Sequence, residues 1–353
     1  MILASDADVI IGVDTHQDTH AAALCDARGR VLAQLQVPAT AAGYARLLAW
    51  ARSAAGRSPA MWAIEGTRHY GLGLARHLVG AGEQVTEIDN NHHLGKRRGG
   101  KTDAIDAVRA ARELLARPHP AQMRADGDRE ALRLLMIDRD HAVQSAKTAR
   151  TTLASVLVTA PAPLREQLRH RSSDRRAREC AGLTCPPGAD RHTQVLHQTL
   201  ARLGQRITAL TATAADLETQ IAAIVEDMAP GLVAAEPGLG PLSAAQILLS
   251  WSHPGRIRTE AAFAMLSGTA PIPVSSGRTD RHRLHRGGDR QANSALWRIA
   301  LVRMGCHQPT RDYVARRTAE GKTKTEIMRC LKRYIAREVF PHLLTAAASA
   351  ASG

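Results

Sequence analysis

Four acidic residues in the first third of the chain have the spacing and the surroundings of a metal-binding carboxylate cluster. Asp14 follows an apolar run in GVDTH, and Glu65 follows another in MWAIEG. Asp103 and Asp106 lie three residues apart in KTDAIDA, a spacing that places both on one face of a helix. Hard divalent cations take oxygen ligands, and phosphoryl-transfer sites with two ions need several carboxylates. The four positions therefore predict a catalytic site for Mg²⁺ or Mn²⁺.

Each of these acids alone has an ordinary structural explanation. An acid at the end of a strand is commonly a solvated terminus, and Asp103 can serve only as a helix N-cap. The order along the chain favours a functional cluster, because strand–Asp and strand–Glu are followed by a basic, Gly-rich segment and then by two aspartates that open a helix. We interpret all four acids as metal ligands and catalytic residues.

The elements that would position these acids are those of an α/β domain. Apolar runs predict three successive strands over Val9–Thr15, 20–25 and 31–37. Further strands are expected over 61–65 and Gln84–Ile88, and helices over 41–54, 70–81 and Asp103–Ala116. Thr102 or Asp103 caps the last helix. A meander followed by alternating helices and strands indicates an RNase H-like fold.

The chain carries a large excess of positive charge. Its 353 residues include 47 Lys and Arg against 33 Asp and Glu, which gives a formal net charge of +14. Such a balance favours a polyanionic partner, and nucleic acid leads that class. Arginine enrichment can also reflect the base composition of a genome, so the clustering of basic residues is the stronger indication.

Cysteine usage and hydropathy exclude other classes of protein. The cysteines are scattered along the chain, so they predict no zinc site. They are Cys25, Cys180, Cys185, Cys306 and Cys330. The first twenty residues do not resemble a signal peptide, and no apolar run approaches membrane-spanning length. We expect a cytoplasmic, nucleoid-associated protein with reduced cysteines and no membrane partner.

Beyond Pro118 the pattern becomes mostly helical, so the fold class is α/β plus all-α. Residues 165–190 are charged and contain Pro and Gly, which predicts a loop or hinge. From Leu196 to Met228 apolar residues alternate spacings of four and three, which is a heptad seam. The seam predicts either a long helix packed inside one subunit or a coiled coil, antiparallel or between subunits.

We divide the chain into three domains on this pattern. Residues 1–118 form the α/β catalytic domain, 119–230 a helical linker with the coiled coil, and 231–353 a helical C-terminal domain.

Three segments have the composition of phosphate-binding surfaces. Gly238 and Gly240 lie in a helix–hairpin–helix-like pattern over 236–251, where glycine can bring backbone amides close to a phosphate. Residues 90–101 and the predicted loop over 263–290 concentrate basic residues, as phosphate neutralisation requires. Besides the two glycines, the expected nucleic-acid contacts are Lys96, Arg97, Arg98, Lys101, Arg278, Arg281, Arg283, Arg286 and Arg290.

Two serines, Ser275 and Ser276, precede Gly277 inside the second basic segment. Ser-Gly pairs are most often turn residues, but these hydroxyls lie beside arginines that can stabilise charge on a phosphate. An unactivated serine is a poor nucleophile and needs a base or a metal. A catalytic serine here would therefore have to meet the carboxylate cluster, within one chain or across subunits.

The motifs resemble those of a known family. GVDTH, AIEG and KTDAIDA resemble the N-terminal domain of the DEDD transposases of insertion sequences, and the segment from Pro271 through GGDRQANSALWRIA resembles their C-terminal domain. The resemblance implies a RuvC-like RNase H fold and DNA strand cleavage and rejoining. The Asp, Glu, Asp and Asp of the family match the four acids above. This chain has Gln17 where the family often has lysine.

The resemblance implies further properties of the site and its partners. The Ser-Gly serine of the family is the proposed nucleophile, and it matches Ser276, with Ser275 as the competing choice. A structured noncoding bridge RNA would select donor and target DNA. A homo-oligomer, a dimer or a tetramer, would assemble the composite site.

Two other functions are compatible with these residues. A metal-dependent nuclease of the Holliday-junction-resolvase kind would hydrolyse DNA with the carboxylates alone and form no protein–DNA adduct. A noncatalytic nucleic-acid-binding protein would retain the fold without strand cleavage, although four intact acids argue against it.

Overall fold

A computed structural model describes residues 8–56, 60–67, 69–88, 102–117, 123–275, 277 and 282–350. The chain forms two compact units, the first ending at Arg124 and the second beginning at Ala125. Within the described residues, no helix has both the length and the apolar character needed to cross a membrane.

The first unit is a mixed α/β domain around a five-stranded sheet, which confirms the predicted class of this region. Its strands are β1 (Val9–Thr15), β2 (Thr19–Asp26), β3 (Val31–Pro38), β4 (Ala60–Glu65) and β5 (Gln84–Ile88), and its helices are α1 (Ala41–Ala55), α2 (Leu72–Gly80) and α3 (Asp103–Ala116). The strand order is β3-β2-β1-β4-β5. The first three strands pair antiparallel, whereas β1, β4 and β5 are parallel.

The two faces of the sheet have separate hydrophobic cores because successive side chains of a strand point to opposite sides. On one face, Ile11 and Trp62 pack with α1 and α2, where Leu74 is fully buried. On the other face, Ile10 and Met61 pack with α3. Of the described helices of this unit, α1 and α2 therefore cover one face of the sheet, and α3 covers the other.

Gly12 in β1 allows α3 to approach the sheet at backbone distance. A Cβ atom at this position would lie 2.0 Å from the carbonyl oxygen of Ala107 and 2.5 Å from the amide nitrogen of Ala111, both in α3. No side chain larger than hydrogen fits there. The close contact fixes the helix along β1 and brings its first turn beside the end of that strand.

The second unit is mostly helical, as the sequence predicted. Its long helices are α4 (Asp128–Val158), α7 (Arg191–Met228), α11 (Arg290–Cys306) and α13 (Lys324–Ala350). Shorter elements are α5 (Ala162–Arg169), α6 (Ser173–Ala181), α8 (Leu232–Ala235), α9 (Pro241–Trp251), α10 (Glu260–Leu266), β6 (Pro271–Pro273), β7 (His282–Leu284) and α12 (Gln308–Ala319).

The prediction of a loop or hinge over residues 165–190 is wrong, because most of this segment belongs to α5 and α6. Leu164 and Leu168 are one turn apart on α5, and both are buried. Ser172 caps α6 by accepting a hydrogen bond from the amide of Arg175. Cys180 of α6 is fully buried in the same hydrophobic cluster as Leu164 and Leu168. A few apolar residues at helical spacing thus outweigh the high local charge.

The heptad seam of α7 packs against other helices of the same chain. Leu200 and Ile207 share a buried cluster with Leu153 of α4 and with α6. Further along, Ile221 and Val225 join the core formed by α9, α11 and α13. The internal packing predicted for the seam therefore accounts for these buried positions, and a coiled coil between subunits stays a prediction.

The basic segment over 263–290 was expected to be one loop, and this is wrong in part. It contains the end of α10 and a two-stranded antiparallel sheet in which Ile272 of β6 pairs with Arg283 of β7. Each strand has only three residues and is mostly exposed, so no alternation of buried and exposed positions marks it in the sequence.

Replacing Gly12 by Ala is expected to destabilise the protein by about 3 kcal/mol, the upper range for inserting a methyl group into close packing. The new Cβ would collide with the backbone of α3. Urea unfolding of the full chain measures the loss. Gly80→Ala is the matched control, because a Cβ there meets nothing within 4 Å. Equal stability of the two variants would contradict the proposed close contact.

Candidate metal centre

Asp14 and Glu65 lie at neighbouring strand ends on the same face of the sheet. Val13 of β1 pairs with Ile64 of β4 in parallel register, so the two acids follow side by side. Both lie an even number of residues from the strand residues that pack on α3, so their side chains point to the face of the sheet that α3 covers. Thr15 Oγ1 donates a 2.8 Å hydrogen bond to the carbonyl oxygen of Glu65, which holds the two strand ends together.

The first turn of α3 supplies the other two acids of the predicted cluster. Thr102 caps the helix, and its side chain accepts a hydrogen bond from the amide of Ile105. Asp103 and Asp106 occupy the first turn, where the positive end of the helix dipole favours carboxylates. Arg109 donates to Asp106 at 2.5 Å, so this acid has a cationic partner on its own helix.

His16 joins the strand end to the helix, and the sequence prediction missed it. Its Nε2 atom lies 3.1 Å from Oδ2 of Asp14 and 3.3 Å from Oδ1 of Asp103. One ligand atom from each of these three residues lies within 4.8 Å of the others. The available signal was the GVDTH motif itself, because the second residue after an aspartate in an extended chain lies on the same side.

Burial and neighbouring charge both act on Asp14. The residue is 8% exposed. Burial raises the pKa of its carboxyl group above the ordinary value, and the charges of Asp106 and Asp103 raise this pKa further, while His16 opposes the shift. Ionised carboxylates gathered in a partly dehydrated place repel one another. A divalent cation would remove this repulsion, and the set of carboxylate and imidazole donors fits such an ion.

The predicted nucleic-acid contacts are described only in part. Arg283, Arg286 and Arg290 are exposed, and Arg286 and Arg290 line an open cavity of the second unit. Ser275 is exposed after β6. The remaining basic and nucleophilic predictions lie outside the described residues, namely Lys96, Arg97, Arg98, Lys101, Ser276, Arg278 and Arg281.

The glycines before α9 have a packing explanation in this structure. Gly238 has a φ of +77°, and a Cβ there would lie 3.1 Å from Cγ of Arg303 and 3.3 Å from the carbonyl oxygen of Ile299, both in α11. Gly240 lies immediately before α9 and is exposed. Close helix packing thus requires Gly238, and phosphate contacts at the two glycines stay a prediction.

Comparison with known proteins gives matches along most of the chain. The IS110 DEDD family model, described as a transposase, matches residues 11–160. The model of the Transposase IS116/IS110/IS902 family matches residues 232–315.

Two curated relatives are similar to the chain. The insertion element IS110 uncharacterized 43.6 kDa protein of Streptomyces coelicolor is 34% identical over 145 residues, which span 40% of this chain and 35% of that protein. The insertion element IS900 uncharacterized 42 kDa protein of Mycobacterium paratuberculosis is 26% identical over 369 aligned residues, covering 91% of this chain and 92% of that protein.

The first matched region contains Asp14, Glu65, Asp103 and Asp106, and the second contains the basic segment over 263–290. The two family matches define the class of protein as a DNA transposase. The chain belongs to the IS110 family of transposases.

Asp14→Asn is expected to raise the melting temperature of the metal-free protein at neutral pH, by roughly 2 °C. Because the folded state raises the pKa of Asp14, its ionised form is disfavoured there, and this penalty vanishes below the ordinary aspartate pKa of 3.8. The gain should therefore disappear as the pH falls below that value. Thermal unfolding in the presence of a chelator, across a pH series, measures it.

Asp26→Asn is the matched control, since Asp26 lies at the end of β2 and hydrogen bonds from Arg30 lower the pKa of its carboxyl group. This substitution should lower the melting temperature. An Asp14→Asn variant that is less stable than wild type at neutral pH would contradict the repulsion between Asp14 and the neighbouring carboxylates.

Proposed function

We propose that this chain cleaves and rejoins DNA strands during transposition, with Asp14, Glu65, Asp103 and Asp106 as the metal ligands of its catalytic site. The observation that carries the proposal is the junction of β1 and α3, where Asp14 and Asp103 both lie within reach of His16. Mg²⁺ or Mn²⁺, when bound, would polarise a DNA phosphate and stabilise an oxygen nucleophile. The match to a transposase family supports DNA as the substrate of this chemistry.

The residues of the chain have distinct roles in this proposal. Asp14, from its buried strand position, would hold the ion rigidly, while Asp103 and Asp106 approach it from the helix. His16 would orient the carboxylates of Asp14 and Asp103 through its Nε2 atom. Glu65 would complete the set from the adjacent strand end.

The fold supports a RuvC-like, RNase H-type assignment of the first unit. Three antiparallel strands are followed by two parallel strands, in the order β3-β2-β1-β4-β5. The central strand β1 carries the first acid of the cluster. We retain the three functional segments 1–118, 119–230 and 231–353 as a proposal, with DNA and RNA contacts concentrated in the last.

The partners belong to the same proposal. The net charge of +14 suits a nucleic-acid polyanion, and the exposed Arg283, Arg286 and Arg290 are phosphate contacts of the C-terminal segment. A bridge RNA would select the donor and target DNA, and a homo-oligomer, dimer or tetramer, would carry out recombination. The support for these two partners is the family resemblance.

Asp103→Ala and Glu65→Ala are each expected to lower strand cleavage about a thousandfold, since losing a metal ligand removes several kcal/mol of transition-state stabilisation. Cleavage of labelled element ends by the purified protein with Mg²⁺ or Mn²⁺ measures the effect. Asp138→Ala, an exposed acid on α4, is the control and should cleave normally. Wild-type cleavage by Asp103→Ala would remove the cluster from the mechanism.

Ser276→Ala is expected to retain DNA and RNA binding but to lose strand cleavage, because the hydroxyl oxygen is the proposed attacking atom and the surrounding arginines remain. Ser275→Ala is the matched control and should be much milder. Mass spectrometry of the peptide trapped on labelled DNA locates the phosphodiester. An adduct on Ser275 would reassign the nucleophile. Cleavage by the wild-type protein with no adduct would instead support a resolvase-like hydrolysis. Absence of any cleavage by the wild-type protein would support a noncatalytic binding role.

A further inference from the structure

The second unit contains a cavity of about 870 Å³ between one face of α11 and one face of α13. Its volume lies within the range of roughly 300–1,000 Å³ that is usual for ligand sites. Helix α11 contributes residues at spacings of three and four, among them Arg290, Asn293 and Trp297, and α13 contributes Arg329 and Lys332 in the same way. The cavity is therefore lined by two continuous helix faces.

The lining of the cavity combines cationic residues with apolar residues. Its basic lining residues are His285, Arg286, Arg290, Lys324, Arg329 and Lys332, and none of the described residues that line it is acidic. Trp297, Leu301 and Leu284 contribute apolar surface, and each is more than 40% exposed. A ligand that carries both a phosphate and a flat apolar group could contact both kinds of residue.

Lys332 is a buried cation whose counter-ion is not supplied by the described protein. It is 8% exposed, and its Nζ donates a 2.8 Å hydrogen bond to Oδ1 of Asn293. No described carboxylate forms an ion pair with it. Burial, and then the charge of Arg329, lowers the pKa of the ammonium group. An unpaired buried charge is costly, and an anion in the cavity would offset that cost.

The surrounding structure fixes the position of this lysine. The amide nitrogen of the Asn293 side chain donates to the carbonyl oxygen of Ser267 at 2.8 Å, so its oxygen must face Lys332. The backbones at Gly268 and Gly288 touch, because a Cβ on Gly288 would lie 2.3 Å from the nitrogen of Gly268. A rigid wall thus holds the ammonium group at the cavity, as a binding site requires.

Trp297 gives the cavity a stacking surface. It is 43% exposed, whereas Trp62 and Trp251 are 0% and 3% exposed and Trp50 is partly buried. Only 3% of the residues of this chain are aromatic, so an exposed indole next to a row of cations is a distinctive feature. Indole rings stack on unpaired bases regardless of their sequence.

We infer that this cavity binds one unstacked nucleotide of a single-stranded nucleic acid, with the phosphate against Lys332, Arg329 and Arg290 and the base against Trp297. The inference rests on the proposed function for the supply of nucleic acid. It adds a binding site for an unpaired strand that is built from other residues than the carboxylates of the proposed metal centre. The single strand is RNA or DNA, since either offers a phosphate and a base.

The test uses the full-length protein in a chelating buffer, so that strand cleavage does not contribute. Oligouridylate, oligothymidylate and a duplex DNA are titrated while tryptophan fluorescence and the anisotropy of the labelled strand are recorded. Single strands should quench the fluorescence. Trp297→Phe should lose most of this quenching and retain most of the affinity. The polymer with the higher affinity identifies the strand that the cavity takes, and binding of neither single strand overturns the inference.

Substitutions assign the binding to the cavity. Trp297→Ala and Arg329→Gln should each weaken single-strand binding about tenfold, and Arg329→Gln should lower the salt slope by about one. Arg337→Gln is the matched control, because Arg337 is an exposed arginine about two turns further along α13 that does not line the cavity. Unchanged affinity in Trp297→Ala, or equal losses in the two arginine variants, overturns the inference.

Lys332→Met tests the buried charge and should weaken binding by tenfold or more. Its melting temperature is measured in parallel, and the exposed positions Trp297 and Arg329 keep the test valid if this variant does not fold. Metal-dependent cleavage by the wild-type protein is scored separately. Loss of single-strand binding in the cavity variants without any wild-type cleavage would refute the proposed function and retain this site, whereas normal cleavage with unaffected binding would do the reverse.

Discussion

The contact between Gly12 of β1 and the backbone of α3 is the constraint on which the candidate metal centre depends. A helix normally packs on a sheet through side chains, which keep the two backbones apart. Here the carbonyl oxygen of Ala107 occupies the space that a Cβ of residue 12 would fill. The first turn of α3 therefore lies close enough to β1 for His16 to reach both Asp14 and Asp103.

The position of Asp14 on its strand and its burial make this contact relevant to metal binding. Asp14 lies two residues beyond Gly12, so its side chain points to the face that α3 covers, where water is partly excluded. The same exclusion that raises the pKa of Asp14 would strengthen its attraction to a divalent ion. Without the ion, the repulsion between these carboxylates opposes folding. A bound ion would remove the repulsion and stabilise the folded state.

The sequence predicted the first unit closely because its signals are local. Strands β1 and β5 and helix α3 have the expected bounds, since a short run with apolar residues defines each strand and the capping residue Thr102 marks the start of the helix. The two helices over 165–190 were missed because only a few buried residues support them. The GVDTH motif locally places His16 beside Asp14, but its contact with Asp103 and the setting of Lys332 depend on partners far along the chain, which no local pattern reports.

Two buried cations of the second unit show how a structural charge differs from a binding charge. Arg303 is 4% exposed, and it pairs at 2.5 Å with Glu236, which is itself buried, and with Glu338. Its guanidinium also donates to the carbonyl oxygen of Pro237, so the fold satisfies this charge and uses it to hold the turn before α9 against α11. Lys332 is almost as buried, yet its described partner is the neutral amide of Asn293, and the cavity beside it is cationic. The fold neutralises the charge of Arg303 fully, whereas Lys332 lines an open cationic cavity, and a nucleic-acid phosphate is the counter-ion that we propose for it.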